Sequence, residues 1–186
     1  MRAFVVILAV VLLGLAVYWW RQSWLEHSQD SVIRAAARKY SVDPALVKAI
    51  VWRESRFNPF ALGRAQEFGL MQIREEAARE WADAEHLSSY EHRSCFDPAT
   101  NTMAGTWYIG KLLRRYTQTD NALPYALADY NAGRGNVLKW AKAEASTNSV
   151  LFVDQIGFPG TKAYVKEVVA RYKYYGPKFA PASASP

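Results

Sequence analysis

One cysteine, Cys95, is all that this 186-residue chain contains, so an intramolecular disulfide is excluded. Histidine is also scarce, and the spacing of His86, His92 and Cys95 fits no established zinc pattern. Neither a metal nor another cofactor is therefore expected. Strand-like alternation is nearly absent and there is no internal repeat, which leaves a mainly α chain. Acidic residues are depleted in one half only. Residues 1–100 hold 12 Lys/Arg and 12 Asp/Glu, whereas 101–186 hold 11 and 5, so the whole net charge of +6 lies in the second half. Such a surface suits a polyanion: nucleic acid, anionic lipid or anionic cell wall. The basic residues are scattered along amphipathic helices without a nucleic-acid motif, so nucleic acid is not expected as a partner. A solvated helix face is the plain alternative.

Charge is missing altogether from Ala3 to Trp20, 18 residues bounded by Arg2 and Arg21. As a helix this run extends about 27 Å, close to the thickness of a bilayer's hydrocarbon core. Tyr18, Trp19, Trp20 and Trp24 gather at its far end, where amphipathic rings favour the membrane–water interface. Residues 1–22 are read as an uncleaved membrane anchor. A signal peptide, with Gly14 and Ala16 before the cut, is the alternative; it makes the protein secreted. Residues 23–30 are expected to be a polar linker, 31–175 one domain and 176–186, rich in Pro, Ala and Ser, a frayed tail.

Within the domain, Asp43-Pro44 and Asp97-Pro98 read as helix starts, an Asp cap followed by a proline whose missing N–H costs nothing. The first helix is expected to run to about Phe57, stopped by Asn58-Pro59. The second is expected to carry Met103, Trp107, Gly110 and Leu113 on one stripe. Asn121 to Leu127, Val137 to Ala145 and Lys162 to Tyr175 read as three more helices. Residues 60–72 leave room for a small β excursion.

The helix from Pro44 places Leu46, Val47, Ile50 and Val51 on one face, and the next position on that stripe is Glu54. A carboxylate carried inward loses solvation, which raises its pKa toward the range a general acid needs at neutral pH. Pairing with Arg53 or Arg56, or emergence at a frayed helix end, is the alternative reading of the same position.

Glu54-Ser55, Phe57-Asn58-Pro59 and Gly69-Leu70-Met71-Gln72 resemble motifs of the soluble-type (SLT) lytic transglycosylases. Three further blocks follow in that family's order: Pro98, Asn101, Gly105, Tyr108 and Leu112; Ala126 through Gly133, including Tyr130-Asn131-Ala132-Gly133; and Thr161, Tyr164, Val165 and Val168. The resemblance covers roughly residues 40–175. It implies a lysozyme-like α-helical domain with at most a small β excursion, acting on the glycan strands of peptidoglycan. The implied reaction splits the β-1,4 bond between N-acetylmuramic acid and N-acetylglucosamine and leaves 1,6-anhydromuramic acid ends. That substrate implies a domain held in the periplasm or cell-wall space.

By matching position, Glu54 is the expected catalytic carboxylate, and Ser55, Met71, Gln72, Tyr130, Asn131 and Tyr164 are expected to serve the substrate. Gln72 and Asn131 would bond sugar, Met71 would form a cleft wall, and Tyr130 and Tyr164 would orient Glu54 or the substrate. Ser55 is expected chiefly to support local geometry. Tyr and Met at helical spacing also suit a core, and Asn131 before Ala132-Gly133 also suits a turn.

The sequence departs from the family pattern at four places. Gly63 stands where a substrate-fixing serine is common, and Gln66-Glu67 replaces the usual Gly-Ala. Arg74-Glu75-Glu76 replaces a proline-containing turn, and Gly160 replaces an acidic residue. Glu67 is thus a candidate second carboxylate. Goose-type lysozymes share the Glu-Ser and Gly-Leu-Met-Gln elements but hydrolyse, with aspartates near the second element; Arg74 stands where one of those would fall. A muramidase, with Glu67 as base on the sugar's opposite face, and a non-catalytic wall-binding scaffold are the two rival readings.

Overall fold

The computed structural model describes residues 2–179. The apolar run forms α1 (Arg2–Ser28), whose large apolar side chains from Phe4 to Trp20 are exposed along its length. By length and composition this helix is able to cross a membrane. The expected linker is helical too. α1 continues through residues 23–28 and gives way at Gln29 to α2 (Asp30–Tyr40), while Leu25 already packs on the core. Residues 23–30 lack proline and glycine, so nothing in them opposes helix propagation.

α3 (Pro44–Ser55) is the centre of the domain. Asp43 accepts a hydrogen bond from the Ala45 amide at 2.8 Å, Pro44 occupies the first turn, and every residue from Pro44 to Val51 is buried. One of these is charged. Lys48 sits 2.6 Å from Asp30 and faces the rings of Phe179 (4.3 Å), Tyr175 (5.2 Å) and Phe57 (5.9 Å). Burial of an ammonium group is tolerated here because a carboxylate and aromatic faces replace its water. Phe179 is itself buried, and its amide donates to the Tyr175 carbonyl at 2.7 Å. The start of the expected frayed tail is thus folded back on the core; residues 180–186 lie outside the described part.

α4 (Glu75–Ala84), α5 (Pro98–Arg115), α6 (Ala122–Ala132), α7 (Arg134–Trp140), α8 (Ser149–Gln155) and α9 (Pro159–Tyr175) complete the domain, with short 3₁₀ turns at His92–Phe96 and Ala143–Ser146. α3 packs on α9 and α2; α5 packs on α2, α6 and α4. α7 and the second 3₁₀ turn occupy the stretch expected as one helix over 137–145. The stripe expected on α5 is displaced. Its buried face is Asn101, Thr102, Ala104, Gly105, Thr106, Ile109, Gly110 and Leu112, while Met103, Trp107 and Leu113 are half-buried at its edge. The small β excursion is present as two antiparallel bridges, Leu62 with Phe68 and Phe68 with Ile73.

Candidate active site

A cleft of about 330 Å³ runs between the end of α3, the loop over 60–74, and the facing parts of α5 and α6. Glu54, Glu67, Gln72, Arg74, Tyr108, Tyr130 and Asn131 line it. The stripe argument explains Glu54: α3 buries eight consecutive residues, then delivers this carboxylate to the cleft floor one turn after Ile50. Burial raises its pKa to about 7, so near neutrality a large fraction carries a proton. The Tyr164 hydroxyl and the charge of Arg53 act weakly against that rise, and Glu67 adds weakly to it.

The alternative pairing of Glu54 with its neighbours is not what the structure holds. Arg53 pairs with Glu167 on α9 at 2.6 Å, and Arg56 lies over the Trp52 ring at 3.5 Å. Arg171 lies over Trp52 as well, at 3.9 Å. Both candidate cations are therefore spent on α9 and on an aromatic face, which leaves Glu54 to the cleft.

The other expected residues divide into those that face the cleft and those that hold it up. Tyr130 lines the cleft, packs against Tyr108 with ring centres 5.7 Å apart, and donates its hydroxyl proton to the Met71 carbonyl at 2.8 Å. Tyr164 is buried beside Glu54, and its hydroxyl has no hydrogen bond of ordinary length in this structure. Burial pushes both phenols well above their ordinary range, so both remain protonated donors. Asn131 accepts from the Thr161 hydroxyl at 2.8 Å through Oδ1, which points its amide nitrogen elsewhere.

Ser55 and Met71 sit behind the surface. Ser55 donates to the Leu70 carbonyl at 2.8 Å and lies near the Val51 carbonyl at 3.2 Å, so its hydroxyl fastens the loop to α3. Met71, expected as cleft wall, is fully buried; its side chain fills the space over Gly105, where an added Cβ would stand 2.4 Å from its sulfur. It shapes the cleft from beneath through its carbonyl. Gln72 takes a left-handed conformation (φ 48°), which turns its side chain back across the loop. There Nε2 donates to the Ala61 carbonyl at 3.1 Å and to the Gly69 carbonyl at 2.9 Å.

Glu67 lies in the cleft as a fixed anion. Oε1 accepts from Arg74 Nε at 3.1 Å and Nη2 at 2.9 Å, and Oε2 accepts from the Ala65 amide at 2.9 Å. Its partial burial is outweighed by hydrogen bonds from its own backbone amide, from Arg74 and from the Ala65 amide, which hold its pKa below the ordinary carboxylate value. Asp129 also borders the cleft but is tied to Arg115 and to the Tyr116 hydroxyl (2.7 Å), so it holds α5 to α6. His92 stacks on Phe68 and bonds the Ile73 carbonyl region at 2.9 Å, and Cys95 is buried with Sγ 3.1 Å from the Tyr90 hydroxyl.

Asn101 was not expected to have a site role, yet it fixes the loop. Its Nδ2 donates to the Phe68 and Cys95 carbonyls, both at 2.7 Å, and Oδ1 accepts from the Met71 amide at 2.7 Å. A polar residue on the inward face of α5 was the available signal, since buried amides persist only when bonded. Tyr108, three residues beyond Gly105 in the same block, lines the cleft and was likewise named without a role.

Comparison with known proteins places this geometry. The transglycosylase SLT domain matches residues 31–152. Over 119 residues the chain is 40% identical to membrane-bound lytic murein transglycosylase C of Klebsiella pneumoniae and 39% identical to its Shigella sonnei counterpart. Each match covers 61% of this chain but only 33% of the relative, so the chain spans about a third of those proteins. Among solved structures, the 70 kDa soluble lytic transglycosylase of Escherichia coli is 28% identical, with a TM-score of 0.70 over 83% of this chain and 25% of that one. A complex of the 70 kDa soluble enzyme with bulgecin A gives 0.74 at 25% identity, over 91% and 31%. With its family match spanning well over half of its length and its helices superposing on these folds, the chain belongs to the transglycosylase SLT domain family.

Proposed function

We propose that this protein is a membrane-anchored lytic transglycosylase that cleaves peptidoglycan strands with Glu54 as its one catalytic carboxylate. The observation that carries this reading is a carboxyl group raised to about 7 by burial, at the floor of a polar cleft, with no cation paired to it. Protonated Glu54 gives its proton to the oxygen leaving from the N-acetylglucosamine side of the β-1,4 bond. Its carboxylate then takes the proton of the muramic acid 6-hydroxyl as that oxygen closes on C1. The products are a free 4-hydroxyl and a 1,6-anhydro ring, and no water is consumed. One group acting first as acid and then as base suffices, whereas hydrolysis ordinarily calls on a second carboxylate.

Three further facts support the reading. The relatives named above are called lytic murein transglycosylases, and a structural neighbour is known with bulgecin A bound. Two of the other carboxylates lining the cleft are engaged, Glu67 with Arg74 and Ala65 and Asp129 with Arg115 and Tyr116, while Glu76 is exposed on the first turn of α4. The exposed apolar surface of α1 suits a lipid environment, which would hold the catalytic domain in the periplasm or cell-wall space.

Digestion of purified murein with the full-length protein tests this. Anhydro-ended muropeptides, each lighter by one water than a reducing-ended product, are expected. Reducing ends would convert the assignment to a muramidase, and no release at all would leave a wall-binding scaffold.

A further inference from the structure

A second face of the domain, away from the cleft, gathers cations around one aromatic ring. Trp52 lies two residues before Glu54 on α3, so it points about 200° round the helix from that carboxylate. Two guanidiniums cover its ring, Arg56 with its charged carbon 3.5 Å from the ring centre and Arg171 of α9 at 3.9 Å. Two such groups this close to one ring centre cannot share a face, so the indole is sandwiched between them. Arg171 also lies 5.1 Å from the centre of the Tyr174 ring, over which Lys178 stands at 3.5 Å. A depression of about 310 Å³ opens here, lined by Trp52, Glu167, Ala170, Arg171 and Tyr174.

Glu167, the carboxylate in that lining, is taken by Arg53 at 2.6 Å. The side chains of Arg56, Arg171 and Lys178 make no ion pair or hydrogen bond among the described residues. Stacking uses the flat face of a guanidinium and leaves its N–H edges, the part that grips phosphate oxygens in pairs. Burial, and then the charges of Arg171 and Arg53, lower the Arg56 pKa; an anion seated among these groups would offset the repulsion.

The end of α1 decides which anions lie against this face. Leu25 packs on the core, and burial followed by the charge of Glu26 raises the Tyr175 phenol, so α1 ends beside the end of α9. Arg171 is 5.6 Å from the centre of that same Tyr175 ring. Glu26 is six residues beyond Trp20, or about 9 Å along a helix. The headgroup layer of a bilayer reaches about 5–8 Å past its hydrocarbon core, and long basic side chains span the difference. Trp52 and the exposed Tyr174 add rings of the kind that favour this layer.

We infer that Arg56, Arg171 and Lys178 form a docking site for the phosphate groups of anionic lipids in the bilayer that α1 spans. Docking fixes the tilt of the domain over the membrane, and because Trp52 points away from the cleft it leaves Glu54 open to glycan. The inference rests on the reading of α1 as an anchor and is independent of the reaction.

The test reconstitutes the full-length chain in vesicles of phosphatidylcholine alone and in vesicles with about one third phosphatidylglycerol. Phenylglyoxal, an uncharged reagent for guanidinium groups, is added, and modification of Arg171 is followed by mass spectrometry. Near an anionic bilayer each basic side chain contributes about fivefold to the docked population. Arg171 is therefore expected to react at least about tenfold more slowly on the anionic vesicles, and Arg56→Gln to remove about fivefold of that protection. A role confined to packing on Trp52 gives equal rates on both membranes. Rates within twofold of each other, or protection that Arg56→Gln leaves unchanged, overturn the inference. So does protection by soluble murein peptide on neutral vesicles with none from phosphatidylglycerol, which would assign the face to peptide carboxylates.

Thermal melting in detergent checks that the variant is folded. Should Arg56→Gln not fold, Lys178→Gln, outside the Trp52 sandwich, replaces it under the same criteria. Flotation of the vesicles after alkaline extraction is read in parallel. Loss of the chain from the vesicles would refute the anchor and this inference with it, whereas a retained chain with equal Arg171 rates would refute the lipid site alone.

Discussion

The two walls of the cleft are built in opposite ways. The helical wall, from α3, α5 and α6, carries Glu54, Tyr108, Tyr130 and Asn131, with Tyr164 of α9 buried beside Glu54 behind it. The loop wall over 60–74 carries Glu67, Gln72 and Arg74 on irregular backbone, and is held by side-chain bonds from outside it, chiefly from Asn101 and Ser55. On the first wall, burial sets the chemistry by deciding where a proton resides. On the second, hydrogen bonds to Arg74 and to loop backbone groups fix where the Glu67 and Gln72 side chains point. The four departures from the family pattern divide accordingly: three fall on the loop wall or directly after it, and among them Glu67 adds to the rise in the Glu54 pKa.

Substitutions at each wall should separate these roles. The largest effect is expected from Glu54→Gln, which removes the transferable proton and should reduce the rate of muropeptide release at least about 10³-fold, with glycan binding largely retained. Retention of cleavage would place the acid elsewhere and dissolve the contrast. Next comes Asn101→Ala, which deletes three hydrogen bonds, two of them buried, and should cost about 3 kcal/mol in urea denaturation. A cost below about 1 kcal/mol would mean that the loop wall holds itself.

Proton linkage gives a third prediction, on stability rather than rate. The folded chain holds the Glu54 proton up to about pH 7, and the unfolded chain releases it near 4.5. The folded state thus binds more protons between those values, and stability falls as pH rises through that window. Glu54→Gln, which has no proton to lose, should therefore be more stable relative to the parent at pH 8 than at pH 4, by about 2–3 kcal/mol. An equal difference at both pH values would show the carboxyl to be hydrated. The smallest effects are expected at the two tyrosines. Tyr130→Phe orphans the Met71 carbonyl and should cost about 1–2 kcal/mol, whereas Tyr164→Phe removes a hydroxyl that has no ordinary hydrogen bond and should cost under about 0.5 kcal/mol. Because that hydroxyl favours the ionised form of Glu54, its loss should also move the alkaline limb of the activity profile slightly upward.

What was legible in the sequence follows the same division. Helix starts at Pro44 and Pro98 depend on a residue and its immediate neighbours, and both caps form as expected, Asp43 to Ala45 and Asp97 to Thr100. The position of Glu54 at the end of α3's apolar stripe was readable for the same reason. The α5 stripe was misread because its inward face includes the polar residues Asn101, Thr102 and Thr106; Thr102 bonds back to the Pro98 carbonyl one turn earlier, and Asn101 and Thr106 find their partner at Met71, distant in sequence. Likewise, a motif position identified Met71 and Ser55 without saying which way their side chains point. Ser55 turned out to tie the loop down, and Met71 to fill the space over Gly105. Periodicity measures apolarity on one element, and it is silent where a polar atom finds its partner on another.

The buried thiol of Cys95 has a practical consequence. Its own carbonyl shares the Asn101 amide with Phe68, so it lies at the root of the loop wall, and burial pushes its pKa up. An enclosed, protonated thiol is unreactive, because the thiolate is the nucleophile. Alkylating reagents therefore gain access to it only when this region opens. Since the sequence contains no other sulfhydryl to compete, labelling kinetics on the unaltered chain give the free energy of that opening at a single site, with no engineered reporter.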